Sequence, residues 1–281
     1  MLKEYCFHSH TYRCGHAAPN KDIEDYVTEA IKQGYKKYGV SDHVFLPGVI
    51  DPGIRGDYAL LGEYIDEFKR CKALYGNQIE MYLGFEAEWS PYFKKYYASL
   101  LRDRGFDYLI CGQHMGFDEN FESHWYMTYE KDKQEPGLLK YREDVLGAIK
   151  SGLYLYIAHP DLFMMCCSEV TPLYAQITKE IIETAIEYDV PLEVNIHGLF
   201  REKIKNGVRY EEYPSDYFWQ QAAKTKVKIV YGGDFHEPDE IIRNDLREKA
   251  EDLIKRTGVH LTDISEVYNE YQERLKKLKI K

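Results

Sequence analysis

Seven short apolar or β-branched runs punctuate the chain, each followed by a longer segment of helical period. Such alternation restricts the fold to parallel strands joined by right-handed helical crossovers. The runs are EYCFH (4–8), KYGVSD (37–42), IEMYLGFE (79–86), DYLICGQH (107–114), LYLYIAH (153–159), PLEVNIH (191–197) and VKIVYGGD (227–234). The first intervening segment is the plainest helix: Asn20 is placed to cap it, Ile23, Tyr26, Val27, Ala30 and Ile31 form an apolar stripe, and Gly34 is placed to end it. Similar stripes predict helices over 60–75, 138–150, 173–188 and 215–225, with two more near 239–256 and 263–278. No repeat, low-complexity run or linker marks a boundary, so residues 1–281 are expected to form a single α/β domain, either an open doubly wound sheet or a closed barrel. The length of 281 residues is ordinary for a barrel.

The residues that close the runs point to chemistry. They are His8 then His10, Asp42 then His43, Glu86, His114, His159, His197, and Asp234 then His236. In parallel barrels the C-terminal strand ends and the loops after them build the active site, so these residues are expected to meet in one cleft. A lone histidine at a strand end is most simply a satisfied polar residue. Eight of the ten histidines lie at or just past these ends, however, and only His124 and His260 fall elsewhere. His8 and His10, two apart in an extended run, present their rings to the same face. Imidazoles and carboxylates spread over more than 220 positions do not make the closed, cysteine-rich site of a structural zinc. They suit Zn, Mn or Fe. Nine candidate ligands (His8, His10, His16, His43, Glu86, His114, His159, Asp234 and His236) exceed the needs of one ion and suggest two or three, with Glu86 as the bridging carboxylate.

Composition excludes several alternatives. No window approaches the roughly 18 apolar residues of a membrane span, and the N-terminus lacks the apolar stretch of a signal peptide, so a soluble cytoplasmic protein is expected. The six cysteines include no CxxC pair and two are adjacent, which argues against a disulfide framework. A formal net charge of −10 disfavours binding to the phosphate backbone of nucleic acid. Divalent ions would supply the local positive charge that an anionic substrate needs. The basic end RLKKLKIK reads as a solvated helix terminus rather than a membrane or nucleic-acid patch.

HSHTYRCGHA, VSDHVFLP, GFEAEW, CGQH, IAHPDL, LEVNIHGLFRE and GGDFHEP, in this order over residues 7–238, resemble the polymerase-and-histidinol-phosphatase (PHP) family, and within it the bacterial histidinol-phosphatases. The resemblance implies a distorted, TIM-like (β/α)7 barrel with a trinuclear metal site at the C-terminal ends of the strands. It implies that His8, His10, Glu86 and Asp234 hold one ion, Glu86, His114 and His159 a second, and His16, His43 and His236 a third. Glu86, Asp234 and His236 would be the catalytic residues. The implied reaction is hydrolysis of L-histidinol phosphate, a small phosphorylated metabolite, by a metal-bound hydroxide. Two motifs depart from the family pattern: His197 replaces a small residue in the N-T-S-G-like segment, and Gly-Gly-Asp-Phe-His replaces Ser-Asp-Ala-His. His197 is therefore a candidate substrate contact, and Arg201 a candidate bidentate phosphate ligand. Cys14, inside the first motif, is expected to pack rather than to react.

Other activities remain open from the residues alone. An amidohydrolase also places HxH after its first strand and a late Asp on a barrel, and other PHP phosphoesterases act on phosphotyrosine or nucleotides. A non-catalytic, polymerase-type module is a further alternative, against which the intact ligand set speaks. The segment GFDENFESHWYMTYEKDKQE after His114, with six acids and five aromatics, is expected to be a long loop at the catalytic face, a candidate lid.

Overall fold

A computed structural model describes residues 4–200, 204–205, 207–209 and 213–280. The strands in chain order are β1 (Tyr5–Cys6), β2 (Lys37–Val40), β3 (Glu80–Glu86), β4 (Tyr108–Gly112), β5 (Met115–Phe117), β6 (Ser123–Trp125), β7 (Ile157–Ala158), β8 (Leu192–Asn195), β9 (Ile204–Lys205), β10 (Val208–Arg209) and β11 (Ile229–Gly232). The helices are α1 (Ile23–Lys32), α2 (Leu61–Tyr75), α3 (Lys94–Asp103), α4 (Lys131–Ser151), α5 (Pro172–Glu187), α6 (Asp216–Ala222), α7 (Asn244–Thr257) and α8 (Ile264–Lys277). Seven strands form one parallel sheet in the order β1-β2-β3-β4-β7-β8-β11. A parallel bridge between Ser9 and Phe235, with His10 N–H donating to Phe235 O at 2.8 Å, joins its first and last members. The result is a nearly closed seven-stranded barrel surrounded by helices.

The strands form because their residues suit burial on both faces. Every residue of β4, β8 and β11 is buried, the pattern of a parallel sheet covered by helices. Inside the barrel the Tyr108 side chain lies against Gly39 and Gly84, where a Cβ would come within 2.4 Å of it, and its hydroxyl shares its proton between Phe7 O at 2.9 Å and Val40 O at 3.1 Å. At the end of the barrel where the strands begin, α8 docks through Tyr271 and Arg274. The Tyr271 hydroxyl donates to Leu153 O, and Arg274 donates to the carbonyls of Gly152, Tyr154 and Asp189. That leaves the other end free for a site.

Several local expectations change. The α1 cap is Asp22, paired with Asp25 in a capping box, while Asn20 sits outside the helix at φ 61°. The runs at 4–8 and 153–159 contribute only two paired residues each. The predicted helix at 239–256 divides into a 3-10 turn, Pro238–Ile242, and α7. Helix α3 adds an element that the apolar pattern does not announce, because its stripe of Tyr97, Leu100 and Leu101 covers barely three positions in a strongly basic segment. The segment after His114 is no structureless loop. It folds into the antiparallel hairpin β5–β6 and runs into α4, which begins at Lys131 rather than near 138.

Candidate metal centre

Each strand delivers one or two polar side chains to the C-terminal end of the barrel. His8 and His10 follow β1 on either side of the Ser9 bridge, both fully buried. Asp42 and His43 follow β2, and a bridge from His43 to Glu86 carries the β2–β3 pairing into the site. His114 follows β4, His159 follows β7, and Asp234 and His236 follow β11. His159 (φ 29°) and Asp234 (φ 52°) both adopt left-handed backbone. That conformation costs a β-carbon residue about 1 kcal/mol or more, strain of a kind that accumulates at functional sites.

Glu86 is the hub. Its Oε1 lies 2.9 Å from His159 Nε2, 3.4 Å from His8 Nε2 and 3.7 Å from His114 Nε2. Its Oε2 lies 3.1 Å from His43 Nδ1 and 3.4 Å from His10 Nε2. Asp234 Oδ1 adds contacts at 3.0 Å to His10 Nε2 and 3.3 Å to His8 Nε2. Burial alone would raise both carboxyls, yet the imidazoles, His8 foremost, hold Glu86 and Asp234 well below the usual carboxylate range. Burial would likewise lower His8, but Asp234, Glu193 and Glu86 keep it well above its ordinary value. His10 behaves oppositely: burial, with His236 beside it, pushes it down to about 3.

Do these residues fit metal ions? The buried His8 Nε2, both ring nitrogens of His10, His43 Nδ1 and His159 Nδ1 have no hydrogen-bond partner among the described residues, although carboxylate oxygens lie close to several of them. The pair His16 and His236 is more telling. His16 Nδ1 lies 3.0 Å from Gly53 O, and His236 Nδ1 lies 2.9 Å from Asp234 O. A carbonyl only accepts, so both Nδ1 atoms carry the proton. Burial pushes both rings below their ordinary pKa, which leaves each Nε2 as a lone pair. These two nitrogens face each other at 3.0 Å. Two lone pairs at that distance repel unless they share a cation, and Zn–N bonds of ~2.0–2.1 Å suit the span. The ligand atoms of His16, His43 and His236 lie within 4.8 Å of one another, as do those of His8, His10 and Asp234, and those of His8, Glu86 and His159. The donor set therefore fits divalent ions.

All nine predicted ligands thus converge on one cluster. His197 comes too, in the 3-10 turn His197–Phe200, with its ring centroid 4.7 Å from that of His236. Arg201 lies outside the described residues. Cys14 Sγ approaches His10 and His236 but accepts the Ala17 N–H, and burial pushes its thiol up to about 12, in keeping with a packing role.

Other functional side chains escaped the sequence reading. Glu193, fully buried in β8, accepts the His8 Nδ1–H on its carboxylate at 2.9 and 3.1 Å, directing Nε2 into the cluster. Asn195 Nδ2 ties Glu193 Oε1 to Asp234 Oδ2 at 2.8 and 3.1 Å. An acid in the middle of the run PLEVNIH was the available signal, since a carboxylate buried on both sides needs a partner. Asp42, a strand-end acid, instead accepts both Thr11 N–H and Thr11 O–H. Ile54, Trp125, His197 and Tyr213 help to wall a cavity of about 160 Å³ above Glu86 and Asp234. Trp125 reaches it because β6 pairs with β5, Trp125 opposite Met115, a placement with no signal in the sequence.

Similarity to known proteins agrees with this architecture. A probable histidinol-phosphatase from Deinococcus radiodurans is 27% identical over 83% of this chain and 86% of its own length. The histidinol-phosphatase of Bacillus subtilis is 24% identical over 83% of this chain and 94% of its own length. Two crystal structures share the fold. The putative histidinol phosphatase of Listeria monocytogenes superposes with a TM-score of 0.67 at 18% identity, covering 86% of this chain and 98% of that one. The histidinol phosphate phosphatase of Lactococcus lactis, complexed with zinc, L-histidinol and phosphate, superposes with a TM-score of 0.65 at 20% identity, covering 92% and 95%. The PHP domain profile matches residues 7–197, from just before the first histidine pair to the turn after β8, and on that extent the chain belongs to the PHP family.

Proposed function

We propose that this chain is a metal-dependent phosphomonoesterase that hydrolyses L-histidinol phosphate to L-histidinol and phosphate in histidine synthesis, working in the cytoplasm with residues 1–281 as one unit. The observation that carries this reading is the Glu86 carboxylate, which has five imidazole nitrogens within 3.7 Å of its oxygens. One ion cannot use so many donors, so we assign three divalent ions, Zn, Mn or Fe, to the groups His8/His10/Glu86/Asp234, Glu86/His114/His159 and His16/His43/His236. Such ions supply a water of lowered pKa and positive charge for the phosphoryl oxygens. Glu86, with one oxygen toward His8, His114 and His159 and the other toward His10 and His43, holds the three groups in register. Asp234 and His236 line the cavity just after β11, where they would flank a bound phosphoryl group.

The substrate assignment is supported by the relatives' names and by the ligands of the Lactococcus lactis protein. It is also supported by the walls of the cavity. Ile54, Tyr213 and the 57%-exposed Trp125 offer apolar and aromatic surface beside the metal donors, matched to a flat organic group attached to a phosphate. His197 lines the same cavity, which supports reading it as a substrate contact. No described helix is long and apolar enough to cross a membrane. Together with a net charge of −10, this favours a small metabolite over nucleic acid or lipid as the partner.

The test is kcat/KM of the metal-loaded protein for L-histidinol phosphate, phosphotyrosine and a short DNA strand. Histidinol phosphate should rank first. A preference for either competitor would overturn the substrate, and activity that survives exhaustive chelation would overturn the metal chemistry.

A further inference from the structure

Arg55 and Glu88 form a salt bridge from which water is excluded: Arg55 is 3% exposed and Glu88 fully buried. The guanidinium grips the carboxylate with two parallel bonds, Nη1 to Oε2 and Nη2 to Oε1, both 3.1 Å. Replacing such a pair by well-packed apolar residues is often neutral or stabilising, so stability does not explain it. Its surroundings suggest another role. Glu88 Oε1 also lies 3.3 Å from His114 Nδ1, fixing that ring with Nε2 toward Glu86. Arg55 Nη1 donates to Val44 O at 3.2 Å, immediately after His43, and Val44 N–H donates to Glu86 O at 2.8 Å. Two residues before Arg55, Gly53 presents the carbonyl that sets the His16 tautomer. Between them, Ile54 lines the cavity.

We propose that the buried Arg55–Glu88 pair is the positioning unit for one half of the metal cluster, holding His114 directly through Glu88, and His43 and His16 through the backbone that Arg55 pins. The guanidinium fork makes this possible. It spans Glu88 and the Val44 carbonyl at once, whereas an ammonium would offer a point charge without fixed directions. Outer partners of metal-binding histidines are typically worth about 10–100-fold in metal affinity. This inference rests on the metal-centre reading above but not on the identity of the substrate.

The experiment titrates metal-stripped protein with Zn²⁺ alone, by calorimetry and by elemental analysis of the zinc retained, alongside a thermal melt of the stripped form. Three proteins are compared: wild type, the neutral double variant R55M/E88L, and R55K. The double variant should melt within a few degrees of stripped wild type yet bind zinc about 10–100-fold more weakly at the positions served by His114, His43 and His16. R55K, which keeps the charge and loses the fork, should fall between. Wild-type zinc affinity and stoichiometry in a folded double variant would overturn the proposal. If the double variant does not fold, wild-type affinity in R55K does so instead. A wild-type protein that takes up no zinc would overturn the metal-centre reading itself, and this inference with it.

Discussion

Gly112→Ala is a one-methyl test of the cluster. Gly112 ends β4, with its missing side chain directed at the hub: a Cβ there would sit 1.7 Å from Glu86 Oε1, 2.4 Å from its carboxyl carbon and 2.7 Å from its Cγ. Ordinary van der Waals contact begins near 3.4 Å. The carboxylate must therefore retreat by roughly 1.5 Å, and a misplacement of ~1 Å at a reacting centre can cost about 10²-fold in rate. Overpacking of this kind costs about 1–3 kcal/mol, within the ~5–15 kcal/mol by which an ordinary domain is stable, so the variant should fold. Gly112 has no positive φ, and backbone strain does not confuse the result. The expected outcome is a folded protein with at least about 10²-fold lower kcat/KM on L-histidinol phosphate and reduced metal content by elemental analysis. Gly62→Ala is the matched control: nothing lies within 4 Å of the added methyl in α2, and helix propensity favours it by about 0.5–1 kcal/mol. Wild-type metal content and turnover in Gly112→Ala would refute the placement of Glu86 at the centre.

Other substitutions probe different parts of the site. Glu193→Gln replaces one of the two oxygens facing His8 by an amide, and should weaken zinc binding by about 10–100-fold in a chelator competition while the metal-free melting temperature changes little. Trp125→Ala should raise KM for L-histidinol phosphate and leave turnover of a small aliphatic phosphate monoester unchanged, because only the former has a ring to place against the indole. Asp161 predicts a pH effect: burial raises its carboxyl to about 7 in the folded protein, against roughly 3.9 when unfolded. Between those values the native state holds a proton that the unfolded chain has released. Asp161 therefore lowers stability as pH rises from about 4 to about 7, by up to ~4 kcal/mol. Denaturant titrations across this range should show a shallower decline for Asp161→Asn, and an unchanged slope would count against a neutral Asp161.

The cluster's membership was legible in the sequence because its members carry their chemistry and their position together. A histidine or acid closing an apolar run must emerge at the C-terminal end of a parallel strand, whatever the details of packing. The nine predicted ligands do meet there. The helices were legible where a stripe ran for several turns, as in α1, and illegible where it was short, as in α3. Caps were less secure: Asp22 and Asn20 are both good cap types, and only the chain's path chooses between them.

By itself, then, the sequence determined an alternating α/β chain, a set of imidazoles and carboxylates at its strand ends, and a charge that asks for cations to meet an anion. What it left open is which side chains face one another once the barrel closes. Asp42 and Glu86 both close strands, but the first accepts two hydrogen bonds from Thr11 and the second becomes the hub. Glu193 reaches His8 across 185 positions, and Arg55 reaches Glu88 across 33. Such pairings depend on the order of strands around the barrel and on the direction of each side chain at its rim. Local periodicity records only the face of a single element, so they were decided by the tertiary structure alone.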